Sequence, residues 1–216
     1  LVGLGGPAAA MSLRLSGGRR LRSPEGNLAR PTAARVRLAV MNMLAPELPG
    51  CSWLDLCSGS GVMACEALNR GARRVVAVER DRHHATLVRA NLDAVRQGLA
   101  ASRPEAGSDP PLEVDVQAQE VVRWLQRGRG GHAPFDLIYA DPPYRGGLYA
   151  PIAAAVSAGA WLAEGGTMVW ECAAGGEPAI PTGWERRDQR RYGSCALILL
   201  QQKREGSTTG VRSPNR

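Results

Sequence analysis

Short apolar runs alternate with helical stretches along most of this chain, and few folds accommodate that alternation. Trp53-Leu54-Asp55-Leu56-Cys57 reads as a first buried strand. A glycine turn, Ser58-Gly59-Ser60-Gly61, follows it and opens a helix from Val62 to the C-terminal glycine Gly71. Val75 to Glu79 reads as a second strand, and Asp81 caps a helix ending near Gly98. Leu112 to Val116 is a third strand, Glu120 to Arg127 a helix, and Phe135 to Ala140 a fourth strand. Leu148 to Ala158 is then helical, and Thr167 to Glu171 is a fifth strand. Such a succession predicts an α/β domain, a parallel sheet with helices on both faces. Two final runs, around Trp184-Glu185-Arg186 and from Ala196 to Gln201, predict an antiparallel hairpin turning at Gly193-Ser194.

The N-terminal region has a different composition. Arg14 to Pro24, with Gly17-Gly18, reads as an extended basic arm, and Pro31-Thr32 opens a helix to about Leu44, stopped by Pro46 and Pro49. The chain carries a net charge of +7, and all of its 27 basic residues except Lys203 are arginine. Arg14, Arg19, Arg20, Arg22, Arg30, Arg35 and Arg37 fall together against a single acid, Glu25. This is the electrostatic footprint expected of a nucleic-acid partner, and solvated charge with a compositional bias toward arginine is the plainer account. Five cysteines without a CxxC spacing and three scattered histidines argue against a structural zinc or a disulfide framework, and a reducing, cytoplasmic setting fits them. Cys57 and Cys65 are expected simply to pack. No apolar stretch approaches the length of a membrane span.

Asp141-Pro142-Pro143-Tyr144 follows directly on the fourth strand. The residue before a proline is held extended and each proline fixes its own φ, so the backbone is stiff where Asp141 aims its oxygens. A carboxylate and a carbonyl can accept hydrogen bonds from a planar amino group, and Tyr144 offers a ring on which a base can stack. In isolation such a tetrapeptide is as readily a Pro-Pro turn with a half-buried tyrosine. The first two strands supply a context. Gly59 and Gly61 let the backbone approach a ligand at a helix N-terminus, and Glu79 closes the second strand where a carboxylate can accept both hydroxyls of a ribose. Gly59-x-Gly61-x-x-Ala64 also satisfies the dinucleotide-binding pattern. Asp55 separates the two possibilities: a carboxylate there would repel a pyrophosphate and attract the cationic amino end of S-adenosyl-L-methionine. Its plainer role is an ion pair or a helix cap.

With these residues in view, the chain resembles the RsmD family, bacterial methyltransferases of guanine N2 in small-subunit ribosomal RNA. The resemblance runs from about Leu13 to Gln201. It is carried by Gly17-Gly18-Arg19-Arg20-Leu21, Arg30-Pro31-Thr32, Arg35-Val36-Arg37, Asp55 to Gly61 and Glu66-Ala67-Leu68-x-Arg70-Gly71-Ala72. Asp141-Pro142-Pro143-Tyr144, Glu171 and Arg191-Tyr192-Gly193 complete it. It implies a Rossmann-like, seven-stranded methyltransferase fold with S-adenosylmethionine as methyl donor. Asp55, Ser58, Gly59, Gly61 and Glu79 match its cofactor positions, and Glu120 aligns best with the residue beside the adenine, with Gln119 or Gln117 as substitutes. Asp141, Pro142 and Tyr144 are the expected catalytic residues. Arg19, Arg20, Arg22, Arg30, Arg35 and Arg37 are expected to hold RNA phosphates. The expected organisation is an extension without ordered structure at 1–10, a basic arm and helix at 11–50, a methyltransferase domain at 51–202 with a mobile loop at 98–111, and a disordered tail at 203–216. A monomer acting on ribosomal RNA or an assembling small-subunit particle is expected, with neither metal nor membrane. An adenine-N6 methyltransferase, a protein-glutamine methyltransferase, a non-catalytic RNA-binding assembly factor and a nicotinamide dehydrogenase are the competing assignments.

Overall fold

The computed structural model describes residues 13–23, 31–102, 111–144 and 146–204. The expected extension at 1–10, Arg30, most of the 98–111 loop and the tail beyond 204 lie outside these residues. The elements run α1 (Pro31–Met43), β1 (Ser52–Leu56), α2 (Val62–Asn69), β2 (Arg74–Glu79), α3 (Arg82–Ala101) and β3 (Glu113–Ala118). They continue with α4 (Val121–Gln126), β4 (Phe135–Ala140), α5 (Tyr149–Ala158), β5 (Leu162–Ala173), β6 (Trp184–Tyr192) and β7 (Cys195–Gln202).

The seven strands form one sheet in the order β3-β2-β1-β4-β5-β7-β6. The first five in that order are parallel, and β7 runs antiparallel between β5 and β6. The period-2 alternation of the strands divides the core in two. Trp53, Val75, Ala77, Leu137, Tyr139 and Val169 face α1, α2 and α3. Leu54, Leu56, Val76, Ile138, Ala140 and Trp170 face α4 and α5. Both faces are therefore covered, as the near-continuous apolar strands require.

Two expectations are corrected. Helix α3 does not end at Gly98 but continues to Ala101, so it takes the first residues of the expected loop. Leu99 packs against the core, and the Ser102 hydroxyl donates to the Gly98 carbonyl at 2.8 Å, which keeps the last turn closed. Nor do residues 13–23 run as an extended arm. Leu13 to Arg22 fold back as a tight hairpin, bridged between Arg14 and Arg20, with Gly17 and Gly18 at φ +102° and +88° in the turn. Leu13, Leu15 and Leu21 alternate with the arginines and are buried against the α2–α3 side. The hairpin is locked there by side chains of the domain. The Arg22 N–H donates to Asn91 Oδ1 at 2.9 Å, and Asn91 Nδ2 donates both to the Arg22 carbonyl (3.0 Å) and to that of Ser60 in the glycine turn (3.1 Å).

Candidate active site

The strand order reverses between β1 and β4, whose following helices lie on opposite faces of the sheet. Ligands of open α/β sheets bind at such a switch point, beyond the carboxyl ends of the strands. Here a cleft of about 570 Å³ opens at that place. Cys57, Glu79, Asp81 and His84 line one side, Gln119, Glu120 and Val121 another, and Asp141 to Tyr144 with Leu148 a third.

The glycine turn is built under strain that only certain residues tolerate. Gly59 and Gly61 sit at φ +56° and +73°, and Cys57 joins them at +64°. A Cβ at Gly61 would lie 2.8 Å from Val88 Cγ1, so the absence of a side chain lets α3 close against the turn. Gly61→Ala is expected to lower the unfolding free energy by about 1–3 kcal/mol through backbone strain and overpacking. It should weaken cofactor binding as well. A urea unfolding midpoint equal to the wild type would show that the turn tolerates a methyl group.

Glu79 ties this turn to β2. Its Oε2 accepts the Gly59 N–H at 2.8 Å and its Oε1 the Asp81 N–H at 2.9 Å. Each carboxylate oxygen keeps acceptor capacity for a ligand hydroxyl. Glu120 caps α4, accepting from the Val122 and Arg123 N–H groups at 3.0 and 2.8 Å, while remaining on the cleft wall. Gln119 is also on that wall, and its oxygen accepts from Arg127.

Asp55 and Ser58 lie deeper than the cofactor assignment implies. Asp55 is 1% exposed and does not line the cleft; its Oδ2 accepts the Ala64 N–H in the first turn of α2 at 3.1 Å. Ser58 is buried beside it, its hydroxyl donating to the Asp55 carbonyl. Burial pushes the Asp55 carboxyl up to about 7; the hydrogen bonds from Ser58 and Ala64 oppose this, and Glu79 adds to it. The folded protein thus holds a proton on Asp55 that the unfolded chain releases near the ordinary carboxylate value. Its contribution to stability is full below that value and is lost as pH rises to about 7. Without cofactor, the melting temperature should therefore fall across this window, and Asp55→Asn should flatten the profile. A slope that survives the substitution would assign it to another group.

Asp141 stands where β4 ends, its N–H donating to the Leu56 carbonyl at 3.3 Å. Ala140 pairs with Trp170, so Asp141 and Glu171 follow as the next residues on adjacent strands. The Tyr139 hydroxyl donates to Glu171 Oε2, and that of Tyr149 to the Glu171 backbone carbonyl at 2.7 Å. Asp141 is open to the cleft on one side and crowded by protein on the other. This partial burial first, then the charges of Glu171 and Asp55, hold its carboxyl well above the ordinary range. Pro142 is buried, whereas the Tyr144 side chain is 49% exposed and presents its ring to the opening.

Asp55, Glu79, Glu120, Asp141 and Glu171 gather around one end of a protein whose net charge is +7. Among the described residues none of the five is in an ion pair. A cluster of acidic groups without cationic partners suits a cationic ligand and an amino nucleophile, and it opposes the pyrophosphate of a dinucleotide. No group of histidine, cysteine and carboxylate side chains among the described residues could hold a metal ion, and no helix there is long and apolar enough to cross a membrane.

The basic set is divided. Arg20, Arg22 and Arg35 are exposed. Arg19 lies along α3, donating to the Ala94 carbonyl at 3.3 Å, with its guanidinium against Gly98. Arg37 is turned inward to Glu66 at 3.0 Å and to the Arg14 carbonyl at 2.8 Å. Cys57 and His84 are cleft residues that the sequence did not mark. Cys57, expected only to pack, is carried to the wall by its left-handed backbone, which has no signature outside glycine and asparagine.

Over residues 15–201 the sequence matches the family described as Conserved hypothetical protein 95. The chain belongs to this family. RsmD proteins are among its relatives: the sequence is 28% identical over 192 residues to ribosomal RNA small subunit methyltransferase D of Escherichia coli K12, covering 88% of each chain. It is 26% identical over 184 residues to the protein of the same name from Haemophilus influenzae, covering 85% of this chain and 89% of that one. The solved structure of Escherichia coli yhhF superposes with a TM-score of 0.72 at 28% identity, covering 90% of this chain and 99% of that one. The Rossmann-like methyltransferase fold, with its mostly parallel seven-stranded sheet and C-terminal antiparallel hairpin, is thereby established.

Proposed function

We propose that this protein transfers a methyl group from S-adenosylmethionine to the exocyclic N2 amine of a guanine in small-subunit ribosomal RNA. The observation that carries this reading is Asp141 at the switch point, with Tyr144 beside it and Glu79, which braces the glycine turn, across the same cleft. The names of the relatives supply the ribosomal RNA and, through the RsmD resemblance, the guanine.

The residues present fit the cofactor. Gly59 has no atom within 4 Å of where a Cβ would lie, so the turn leaves backbone open to a ligand. Glu79 would hold the ribose and Glu120 or Gln119 the adenine, while the buried Asp55 braces the turn through the Ala64 N–H. When bound, S-adenosylmethionine supplies an electrophilic methyl group on a sulfonium.

The remaining work falls to the chain. A guanine amine is a poor nucleophile because its lone pair is delocalised into the ring. Asp141 and the Pro142 carbonyl accept its hydrogens, draw the nitrogen toward tetrahedral geometry and stabilise the positive charge that develops on it. The two prolines hold these acceptors in place, which lowers the entropic cost of alignment. Tyr144 stacks on the base once it has left its helix or loop. Asp141, made more basic by its partial burial and then by Glu171, takes the proton. The test is transfer of labelled methyl to 16S ribosomal RNA or small-subunit particles, followed by mass spectrometry of the nucleosides. N2-methylguanosine is expected; N6-methyladenosine, or no methylated nucleoside, would overturn the assignment.

A further inference from the structure

Tyr192, in the Arg-Tyr-Gly near the C-terminus, has no part in the chemistry above. It lies at the end of the edge strand β6, paired with Cys195 across the Gly193-Ser194 turn. Between this end of β6 and helix α1 runs an open groove of about 740 Å³, walled by Arg35, Leu38 and Asn42 from the helix and by Arg190 and Tyr192 from the strand. Leu38 and Tyr144 are the exposed large hydrophobic side chains of the described residues, and Leu38 forms part of this groove.

The lining has a definite chemistry. The ring of Tyr192 packs on the core from one side and is partly open on the other. That fixes a half-exposed aromatic face. Arg190 gives its Nε to Asp188 at 3.0 Å, and its side chain is exposed. Arg35 is exposed and has no ion-pair partner among the described residues. Charges on an edge strand also discourage pairing between sheets, which accounts for the arginines of β6 but not for Arg35 on the facing helix.

A fixed aromatic face flanked by two guanidinium groups is the arrangement by which single-stranded nucleic acid is held. A second copy of the chain is a poor occupant, since the rim of the groove is basic on both walls. The groove also lies at the same end of the sheet as the cleft. β6 runs in the same direction as β4 and β5, so Tyr192 sits on the crest that carries Asp141.

We propose that the α1–β6 groove receives nucleotides flanking the target base in single-stranded RNA, with Tyr192 stacking on a base and Arg35 and Arg190 on neighbouring phosphates. This rests on the reading of the Asp141 cleft as an RNA-methylating site, so the experiment has two independent readouts. Binding of a fluorescent single-stranded oligoribonucleotide to the full chain is followed by anisotropy against salt, and methyl transfer to ribosomal RNA is measured in parallel. Arg35→Glu, an exposed substitution that leaves the core untouched, should weaken binding roughly tenfold and lower the salt slope by about 1. Tyr192→Ala should weaken it by a similar factor and Tyr192→Phe by much less. Both should raise the KM for RNA while leaving cofactor affinity unchanged. Wild-type affinity and slope in Arg35→Glu and Tyr192→Ala would overturn the groove, whether or not the protein methylates RNA. Groove-dependent binding by a wild type that transfers no methyl would uphold the groove and remove the enzymatic reading instead. Failure of the wild type to bind the oligonucleotide, or dimerisation that Arg35→Glu abolishes, would also overturn it.

Discussion

Asp141→Ala removes methyl transfer, with an expected loss on the order of 10³-fold or more, while affinity for S-adenosylmethionine stays within a few-fold of wild type. Two contributions disappear together: the acceptor that stabilises charge developing on the amine, about 10²–10³-fold in comparable sites, and the base that takes its proton, about 10²–10⁴-fold. Cofactor affinity is retained because Glu79, the glycine turn and α4 are held by their own hydrogen bonds, none of which involves Asp141. Asp141→Asn separates the two contributions. Its amide oxygen still accepts a hydrogen bond but takes no proton, so an intermediate rate is expected. The pH dependence has a definite sign as well. Asp141 binds its proton more tightly than an ordinary carboxyl, first through burial and then through Glu171, so activity should rise with pH as the acceptor form is populated. Single-turnover rates and calorimetric titration with the cofactor read these outcomes. A rate for Asp141→Ala within tenfold of wild type would remove Asp141 from the chemistry.

The second large effect is on stability. Glu66 is fully buried in α2, and its Oε1 accepts three hydrogen bonds: the Ser16 N–H at 2.7 Å, the Ser16 hydroxyl at 3.0 Å and Arg37 Nε at 3.0 Å. Arg70 approaches its other oxygen at 3.9 Å. One carboxylate therefore joins the N-terminal hairpin, α1 and α2. Glu66→Ala leaves the Arg37 guanidinium without its counter-charge and two Ser16 donors unpaired, a loss expected at about 3–5 kcal/mol. Glu66→Gln keeps an acceptor at Oε1 and should cost less. Because the hairpin carries Arg20 and Arg22, RNA affinity should fall with it, even in the fraction that remains folded. Urea unfolding gives the first quantity, and an alanine variant within 0.5 kcal/mol of wild type (the ordinary scatter of surface substitutions) would deny Glu66 this role.

Much of the fold was legible because its signals are local. Strands β1 and β2, the glycine turn between β1 and α2, and the hairpin of β6 and β7 were marked by apolar runs ended by glycine or a capping acid. The same is true of Asp141, Glu79 and Glu120, each placed at a strand end or helix start by the residues beside it. Gly98 misled because glycine usually ends a helix. Here α3 runs through it, since Leu99 has a core to pack on and Arg19 fills the surface that a side chain would have covered.

The arginines show where local reading stops. As sequence, Arg19, Arg20, Arg22, Arg35 and Arg37 form one basic patch; in space, Arg37 serves Glu66, Arg19 lies on α3, and Arg35 faces β6. The depth of Asp55, the arrival of Cys57 and His84 at the cleft and the groove beside Tyr192 belong to the same class. The sequence by itself determined the order of strands and helices, the residues at their ends and hence the chemistry available at the switch point, because backbone propensity and strand periodicity act over a few residues. Only the tertiary structure decided which charges are spent inside the protein and which are left for a ligand. Burial and ion pairing depend on partners far apart in the chain, such as Arg37 and Glu66 or Asn91 and Arg22, and no local pattern encodes that distance.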